Sequence, residues 1–316
     1  MDVSDLVARV LRGERRAVAR AISLVEDASP VLRDVMAALA PHTGRARVVG
    51  LTGAPGVGKS TCTAALVAAL RERGVRVGVL AVDPSSPFTG GALLGDRVRM
   101  QQHASDTGVF IRSMASRGHL GGLSWATPHA LRVLDAAGFG TILVETVGVG
   151  QAEVDIAAHA DSTLVLVAPG MGDSVQAAKA GVLEIADVFV VNKADREGAQ
   201  TAVRELRQTS AQTPRGPNEW RPPVVSTVAV RGEGIGELVE RLDRHERHLR
   251  ASGEWRRRRH ARAREEVEAI VLAALRERFG AMPGHADLDR LAAEVAAGRL
   301  DPYAAAGTLL AALGSA

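Results

Sequence analysis

A glycine-rich stretch between an apolar run and a helical pattern is the feature that most restricts how this chain can fold. The letters GAPGVGKST occupy residues 53–61, the apolar run spans 47–52, and the helical pattern continues to residue 73. This is the G-x-x-x-x-G-K-[ST] pattern in a strand–loop–helix setting. Its glycines let successive backbone N–H groups point at a polyphosphate, where the positive end of the helix dipole also lies. The stretch predicts a phosphate-binding loop for a nucleoside triphosphate and leaves the base open.

Every residue of this loop is a predicted nucleotide contact. The lysine supplies positive charge to the β- and γ-phosphates, and the serine hydroxyl is a predicted ligand of Mg²⁺. The predicted phosphate-loop residues are Gly53, Ala54, Pro55, Gly56, Val57, Gly58, Lys59, Ser60 and Thr61.

Composition and charge narrow the class of protein. The 316 residues are 46% apolar and 24% charged, which is ordinary for a globular chain, and a net charge of +3 gives no reason to expect nucleic-acid binding. The single cysteine, Cys62, excludes an intramolecular disulfide and fits a reducing compartment. No apolar run approaches the ~18 residues of a membrane span, and the N-terminus lacks a signal-peptide core. We therefore expect a cytoplasmic protein without nucleic-acid or membrane partners.

Short β-branched runs alternate with helical patterns from residue 47 to about residue 236. Because these runs are continuously apolar and separated by helices, they indicate an α/β fold: a P-loop NTPase with a mostly parallel sheet covered on both faces. Functional loops should then lie at the carboxyl ends of the strands. The predicted strands are 48–51, 77–82, 109–112, 141–145, 163–167, 188–192 and 224–226, with helices between them at 65–73, 125–137 and 199–209.

Helical patterns flank this α/β region on both sides. Residues 3–40 predict two or three helices, and residues 238–252, 255–279 and 286–313 predict two long charged helices and two shorter ones. We therefore divide the chain into an N-terminal helical segment (1–44), a nucleotide-binding domain (45–252) and a C-terminal helical region (253–316).

Two features of the C-terminal region have alternative interpretations. The arginine run 256–259 favours a solvated helix face over a contact with RNA or membrane. An apolar stripe on the following turns either packs back on the domain or pairs with another chain. The stripe consists of Val267, Ile270, Val271, Ala274 and Leu275.

The letters NKAD at 192–195 follow a predicted buried strand. The Asp195 carboxylate can accept hydrogen bonds from the ring N–H and the exocyclic amine of guanine together. Adenine offers no such pair and would leave the carboxylate unsatisfied, at a cost of about 1–3 kcal/mol. The Lys193 stem can cover the base, and Asn192 can brace the neighbouring loop. The motif favours GTP over ATP. The later strand end at Ser226, Thr227 and Val228 resembles the place where small G proteins make a backbone contact to the guanine oxygen.

Three acidic residues at or near strand ends predict a metal site. Asp83 and Glu145 end two predicted strands, and Asp96 follows the glycine-rich loop 87–95. Carboxylate oxygens are ligands that Mg²⁺ prefers. A loop with an acid on each side suits a switch ordered by Mg²⁺ and the γ-phosphate, although Asp96 is equally suited to capping a helix. Glu145 is one methylene longer than the aspartate usual at this place.

Taken together, these motifs resemble the MeaB/MMAA (ArgK-type) family of P-loop GTPases. The resemblance covers nearly the whole chain. The stretches that carry it are GAPGVGKST at 53–61, AVDPSSPFTGGALLGDRVRM at 81–100, RGHLGGLS at 117–124, ETVGVGQAEVD at 145–155, APGMGDSVQAAKAGVLEIAD at 168–187 and NKAD at 192–195.

The resemblance implies an enzyme that hydrolyses GTP to GDP and phosphate and serves as a chaperone. Its partner would be an adenosylcobalamin-dependent acyl-CoA mutase of the methylmalonyl-CoA mutase type, whose cofactor loading it would gate and which it would protect or reactivate. The resemblance also implies that Lys59, Ser60 and Thr61 bind phosphate and Mg²⁺. The acids Asp83, Asp96 and Glu145 would surround the metal and the attacking water, and Asn192, Lys193 and Asp195 would read guanine.

Further implied roles concern signalling and assembly. Gln151 is a candidate for orienting the attacking water, and the loop 147–151 would respond to the γ-phosphate. The region 253–316 resembles the family's dimerisation arm and implies a homodimer. The segment 168–179 resembles the family's third switch, which would signal to the mutase through Asp173, Gln176 and Lys179.

Other functions stay open at this point. A small-molecule kinase, as in the older ArgK description, predicts an acceptor pocket and ATP preference. A GTP-dependent metallochaperone requires clustered Cys and His ligands, whereas Cys62 stands alone here and the histidines are scattered. A GTP-dependent structural or RNA-binding module has only the arginine run in its favour.

Overall fold

The structure is a computed structural model that describes residues 2–84, 105–116, 126–146, 152–170, 184–212, 215–216, 218–281 and 285–314. These residues belong to two compact units, Met1–His260 and Ala261–Ala316. The three-part division at residues 44/45 and 252/253 stays a prediction.

A seven-stranded sheet forms the centre of the first unit, with neighbouring strands in the order β3-β2-β4-β1-β5-β6-β7. Every neighbouring pair is parallel, which confirms the predicted parallel α/β fold. The strands are β1 Arg47–Thr52, β2 Val77–Pro84, β3 Val109–Ser116, β4 Thr141–Thr146, β5 Ser162–Val167, β6 Val188–Asn192 and β7 Val224–Thr227. Each contains one of the seven runs predicted from the sequence.

Eleven α-helices lie within the described residues. They include three N-terminal helices, where the periodicity over residues 3–40 predicts two or three, and two C-terminal helices where residues 286–313 predict them. The helices are α1 Val3–Leu11, α2 Arg15–Glu26, α3 Leu32–Leu39, α4 Lys59–Glu72, α5 Ala126–Ala136, α6 Ala152–His159, α7 Ala199–Gln212, α8 Ile235–Ser252, α9 Glu254–Ala281, α10 His285–Ala296 and α11 Pro302–Gly314.

Apolar side chains cover the sheet on both faces. On one face, Val49 and Leu51 of β1 share a buried cluster with α4 and α8. On the other face, Val48 of β1 shares a cluster with α1, α2, α3 and α5, and Val165 of β5 packs with α7. Because alternate strand residues point to opposite faces, a continuously apolar strand such as β1 is the sequence expected for this sandwich of layers.

The parallel arrangement places the predicted functional residues at one edge of the sheet. Leu51, two residues before the phosphate loop, pairs with Glu145 of β4, and Asn192 at the end of β6 pairs with Thr227 of β7. Carboxyl ends of parallel strands meet at the same edge, which is where ligands bind in such folds. This carboxyl edge carries the candidate site.

The opposite, amino edge of the sheet holds a separate polar cluster. Arg258 donates from both terminal nitrogens to the two carboxylate oxygens of Asp187, each at 3.0 Å. Arg259 donates to the backbone oxygen of Ala46 at 2.6 Å and to Asp161 Oδ2 at 3.2 Å. The side chains of Asp161 and Asp187 are nearly inaccessible, at 1% and 8% exposure.

These contacts correct one expectation for the arginine run. Arg256 and Arg257 are exposed, as a solvated helix face requires. Arg258 and Arg259 are not solvated in that sense, because they neutralise two buried carboxylates that directly precede β5 and β6. Buried charges of this kind are retained only when paired and hydrogen-bonded. Half of the run therefore attaches the start of α9 to the sheet.

His245 of α8 lies at the centre of the same cluster and has no exposed surface. Its Nδ1 is 2.8 Å from Ser162 Oγ, its Nε2 is 3.3 Å from Asp187 Oδ1, and its ring packs 4.7 Å from that of Trp220. Burial lowers the pKa of His245 from 6.5 to about 4, against the opposing charge of Asp187 and with a smaller contribution from Arg258. The imidazole is neutral at pH 7, so its contact with Asp187 is not an ion pair.

The second unit contains the remainder of α9 with α10 and α11. Leu291 of α10 and Ala305 of α11 are buried. The α9 stripe is exposed at Val267, Ile270, Val271 and Leu275. No described helix is both long and apolar enough to cross a membrane.

We expect the free energy of unfolding to decrease as the pH decreases, and we expect His245 to cause a large part of this decrease. Since the folded-state pKa is about 4 and the unfolded-state value is near 6.5, protons bind the unfolded chain more tightly, and stability is lost as pH falls through this window. The arithmetic gives about 2 kcal/mol of unfolding free energy lost between pH 7.5 and pH 5. Urea unfolding at both pH values measures the difference, and His245→Phe should reduce it by about that amount.

His248 provides the matched control, because it lies on the same helix and its ring also contacts Trp220, at 5.4 Å, but it is less buried. His248→Phe should keep the wild-type difference between the two pH values. A His245→Phe protein that loses as much stability as the wild type would contradict the expectation.

Candidate functional site

The phosphate loop connects β1 to α4 through three glycines with positive φ. Gly53, Gly56 and Gly58 have φ values of 140°, 81° and 94°. A Cβ on Gly53 would lie 2.2 Å from the backbone oxygen of Leu166 in β5, and one on Gly58 would lie 2.5 Å from Asn192 Nδ2. Both positions therefore exclude a side chain by backbone conformation and by close contact. The loop has the curled backbone that the sequence predicts.

Lys59 is buried at the first position of α4 and turns back over the loop. Its ammonium donates to the backbone oxygen of Gly53 at 2.6 Å and to that of Ala54 at 3.2 Å. A buried ammonium needs such partners. The charge that would meet the phosphates is thus held by the carbonyls of the loop itself, while Pro55 and Gly56 at the tip of the loop are exposed.

Ser60 and Glu145 are in direct contact beneath the loop. The Ser60 hydroxyl donates to Glu145 Oε1 at 2.6 Å, and the Thr63 hydroxyl donates to Glu145 Oε2 at 2.9 Å. Glu145 is 2% exposed and Ser60 6% exposed. The β4 carboxylate, predicted as a metal ligand, and the predicted serine ligand on α4 are therefore brought together.

The chemistry of this pair fits Mg²⁺. A hydroxyl and a carboxylate are hard oxygen donors, and they lie beside the loop that would hold the phosphates. Ser60 directly follows Lys59 in the first turn of α4. Among the described residues there is no group of three or more His, Cys, Asp or Glu that could hold a metal ion.

Asn192 at the end of β6 joins the phosphate loop to the loop after β7. Its Nδ2 donates to the backbone oxygen of Val57 at 2.9 Å. Its Oδ1 accepts from Thr227 Oγ1 and from the Ala229 backbone N–H, each at 3.1 Å. The side chain is buried, and all three bonds cross between separate segments. The bracing role predicted for Asn192 has a matching geometry.

The residues after Asn192 continue along the same edge. Lys193 adopts a left-handed backbone conformation with φ of 59°, which is unusual for a residue with a side chain, and its ammonium donates to the Gly56 backbone oxygen at 2.7 Å. The exposed Asp195 contacts Arg231, with 3.4 Å between Oδ2 and Nη1. Arg231 is held in turn by Glu233, with 2.6 Å between Nε and Oε1. Asp195 thus faces a cation that was not predicted.

The remaining predicted contacts lie on β7 and α4. Thr227 and Val228 are buried, and Ser226 is exposed at the same strand end. Thr61 is half-buried on the first turn of α4. Asp83 is the residue before the last one of β2, and nothing is described of its side chain. Five predicted site residues lie outside the described residues: Asp96, Gln151, Asp173, Gln176 and Lys179. The same holds for all of the predicted loops 87–95 and 147–151 and for most of the segment 168–179.

Three groups in the candidate site were not predicted from the sequence: the Thr63 hydroxyl, the Ala229 backbone N–H and the Arg231 side chain. Thr63 is three residues after Ser60, a spacing that places both on one face of a helix, so helical periodicity could have identified it. The other two follow β7. The Ala229 N–H contacts the side chain of Asn192, 37 residues earlier, and Arg231 contacts Asp195, 36 residues earlier. Contacts over such separations depend on tertiary packing and leave no local pattern.

Cys62 lies between Ser60 and Thr63 on α4 and has no exposed surface. Burial raises the pKa of its thiol to about 12, and the charge of Glu145 contributes in the same direction. Only the thiolate is a good nucleophile or metal ligand. Cys62 is therefore a packing residue next to the site.

A phosphate loop held through Asn192 to an N-K-x-D strand end defines the class of protein: this chain is a P-loop GTPase. The family described as "Methylmalonyl Co-A mutase-associated GTPase MeaB" matches residues 18–283, and the chain belongs to that family.

Similar proteins extend over nearly the whole chain. A protein of Pyrococcus abyssi is 47% identical over 310 residues, covering 98% of this chain and 96% of that protein. The mouse protein named "Methylmalonic aciduria type A homolog, mitochondrial" is 34% identical over 329 residues, covering 98% of this chain and 79% of that protein. A solved structure of an LAO/AO transport system kinase is 27% identical with a TM-score of 0.73, covering 99% of this chain and 97% of that one.

We expect Cys62 to be unreactive in the folded protein. At pH 8 a thiol with a pKa of about 12 is ionised to roughly one part in 10⁴, whereas an unfolded cysteine is about one-quarter thiolate. Labelling with an aromatic disulfide reagent should be at least about 10³-fold slower in the native protein than in urea. Rapid native labelling at pH 8, without unfolding, would contradict this assignment. Glu145→Gln is the matched variant, because it removes the neighbouring charge and leaves the thiol buried. Its labelling should stay slow, since burial is the larger cause of the raised thiol pKa.

Proposed function

We propose that this GTPase controls an adenosylcobalamin-dependent acyl-CoA mutase of the methylmalonyl-CoA mutase type, gating cofactor loading and protecting or reactivating the mutase. The observation that carries the proposal is family membership, since the matching family is named for its association with methylmalonyl-CoA mutase. The name of the mouse relative, which refers to methylmalonic aciduria, points to the same metabolism. We place this activity in the cytoplasm.

The nucleotide would bind along the carboxyl edge of the sheet. Backbone N–H groups of residues 53–61 and the Lys59 ammonium would hold the phosphates. Asp195 would accept from guanine, with the Lys193 stem against the base and residues 226–228 beside the guanine oxygen. Asn192 would also contribute to reading guanine, because its Nδ2 has two N–H groups and the Val57 oxygen accepts from one of them. It keeps the two halves of the site at a fixed separation.

Ser60 and Glu145 would hold Mg²⁺, with Asp83 and Asp96 as further acids near the metal and the attacking water. When bound, Mg²⁺ would neutralise phosphate charge during the transfer to water. Gln151 is the proposed residue for orienting that water.

Binding would add to the contacts of two residues. The Lys59 ammonium has three N–H groups, so it would meet the phosphates beside the carbonyls of Gly53 and Ala54. The Ser60 oxygen has lone pairs for the metal while its proton stays on Glu145. Glu145 lies on β4 directly before Thr146 and the loop 147–151. A change at its carboxylate is thus one residue from the segment proposed to respond to the γ-phosphate, which gives the site a route for signalling its state.

The partner would detect that state at segment 168–179, through Asp173, Gln176 and Lys179, together with loops 87–95 and 147–151. The region 253–316 would form a homodimer. Four apolar side chains of the α9 stripe support this assembly, since each is about half exposed in the single chain. Contiguous exposed apolar residues of this size commonly mark protein interfaces.

Asp195→Asn should relax the preference for guanine. The exchange removes a charged acceptor and introduces a donor facing the guanine donors, so GTP affinity should fall about 10- to 100-fold relative to ATP, with XTP gaining instead because its C2 oxygen can accept from the new amide. Competition against a fluorescent guanine nucleotide measures all three. Glu197→Gln is the control, because it removes an exposed charge two residues away. Unchanged selectivity between GTP and ATP would exclude Asp195 from base recognition.

Mixing the protein with its mutase should change both GTP affinity and GTP turnover. A coupling free energy of about 1–3 kcal/mol corresponds to a 5- to 150-fold change in nucleotide affinity. Titrations with and without the adenosylcobalamin-loaded mutase measure it. Lys59→Ala should abolish turnover with and without the mutase, which shows that the measured rate belongs to this site. Turnover and affinity unaffected by any adenosylcobalamin-dependent acyl-CoA mutase would refute the proposed partner.

A further inference from the structure

Thr63 is a buried hydroxyl next to the proposed metal ligands that no motif singles out. It lies on α4 one turn after Ser60 and has no exposed surface. Its Oγ1 is 2.9 Å from Glu145 Oε2 and 3.1 Å from the backbone oxygen of Lys59. A hydroxyl has one proton to donate, and a carboxylate is a stronger acceptor than a helix carbonyl. The proton therefore goes to Glu145.

The Ser60 and Thr63 hydroxyls of α4 each bond to a different oxygen of the Glu145 carboxylate. Ser60 takes Oε1 at 2.6 Å and Thr63 takes Oε2 at 2.9 Å, so both ends of the planar group are fixed from one helix face. Bonds at both oxygens restrict the last torsion angle of the side chain more than a bond at Oε1 does. This restriction matters more for a glutamate than for an aspartate, because the longer side chain has an additional torsion angle to restrict.

We propose that Thr63 is a positioning residue for the metal site: it holds Glu145 Oε2 so that Oε1 stays directed at the place where Ser60 and Mg²⁺ meet. This inference rests on the proposed role of Glu145 at the metal. When a metal binds at Ser60 and Glu145 Oε1, the Thr63 contact at Oε2 would help to keep the carboxylate in place. Residues that hold a metal ligand typically change metal affinity about 10- to 100-fold when removed.

The test is the Mg²⁺ dependence of GDP release, followed with a fluorescent GDP and without any turnover. Thr63→Val keeps the shape of the side chain and removes the hydroxyl, so the Mg²⁺ concentration that half-maximally slows release should rise about tenfold. Thr63→Ser restores the hydroxyl and should return this concentration to within about twofold of the wild type. Release in EDTA should be alike in all three proteins, because the phosphate and guanine contacts are unchanged.

Glu145→Gln separates the failure of this inference from the failure of the proposed metal site. If Glu145→Gln leaves the Mg²⁺ dependence unchanged, Glu145 is no metal ligand and both ideas fall. If it weakens the Mg²⁺ dependence while Thr63→Val behaves like the wild type, the inference about Thr63 alone is overturned. A supporting result has Thr63→Val shift the Mg²⁺ requirement in the wild-type background and add little in the Glu145→Gln background.

A merely structural role for Thr63 predicts a different pattern. Loss of packing would lower the melting temperature and speed GDP release with and without Mg²⁺ alike. Thr63→Ala is a second hydroxyl-free variant for the case that valine does not fold at this position, and it should raise the Mg²⁺ requirement as valine does. A serine variant that folds but fails to restore the Mg²⁺ requirement would also overturn the proposal.

Discussion

The three hydrogen bonds of the Asn192 side chain hold the candidate site together. A single amide, buried at the end of β6, ties the phosphate loop at Val57 to the loop after β7 at Thr227 and Ala229. Gly58 has no side chain at the point where Asn192 packs against it, since a Cβ there would lie 2.5 Å from the amide nitrogen. Gly58 of the phosphate loop and Asn192 of the N-K-x-D motif therefore form one contact, which would fix the separation between the proposed phosphate and base positions.

The sheet separates two polar systems that have different tasks. At its carboxyl edge, Lys59 donates to the carbonyls of Gly53 and Ala54, and Ser60 donates to Glu145. At its amino edge, Arg258 and Arg259 neutralise Asp187 and Asp161 through contacts buried against the starts of β5 and β6. The first set lies where the nucleotide and the metal are proposed to bind, and the second attaches the start of α9 to the sheet. Asp187 directly precedes the first residue of β6, and Asn192 is the last residue of β6. This short strand therefore connects the two polar systems.

The sequence is informative where a function needs a local pattern and uninformative where it needs a distant partner. The glycines of the phosphate loop, the apolar strands and the N-K-x-D letters each follow from backbone or base chemistry within a few residues, and the parallel sheet follows from their order. The ion pair between Asp195 and Arg231 and the attachment of Arg258 to Asp187 join residues 36 and 71 positions apart. An arginine on a helix has the same local pattern whether it meets water or a buried carboxylate. The prediction of a solvated helix face is therefore wrong for Arg258 and Arg259.

The internal contacts of the carboxyl edge also set the character of the proposed switch. The Lys59 ammonium has three N–H groups and the Ser60 oxygen has two lone pairs, so a phosphate and a metal would add to the contacts with the loop carbonyls and with Glu145. The proposed site is thus largely preformed for both ligands. The Glu145 carboxylate is common to the metal site and to the strand that leads into loop 147–151. Thr63 holds this carboxylate on one side. A change in the position of the carboxylate would therefore transmit the state of the phosphates to loop 147–151.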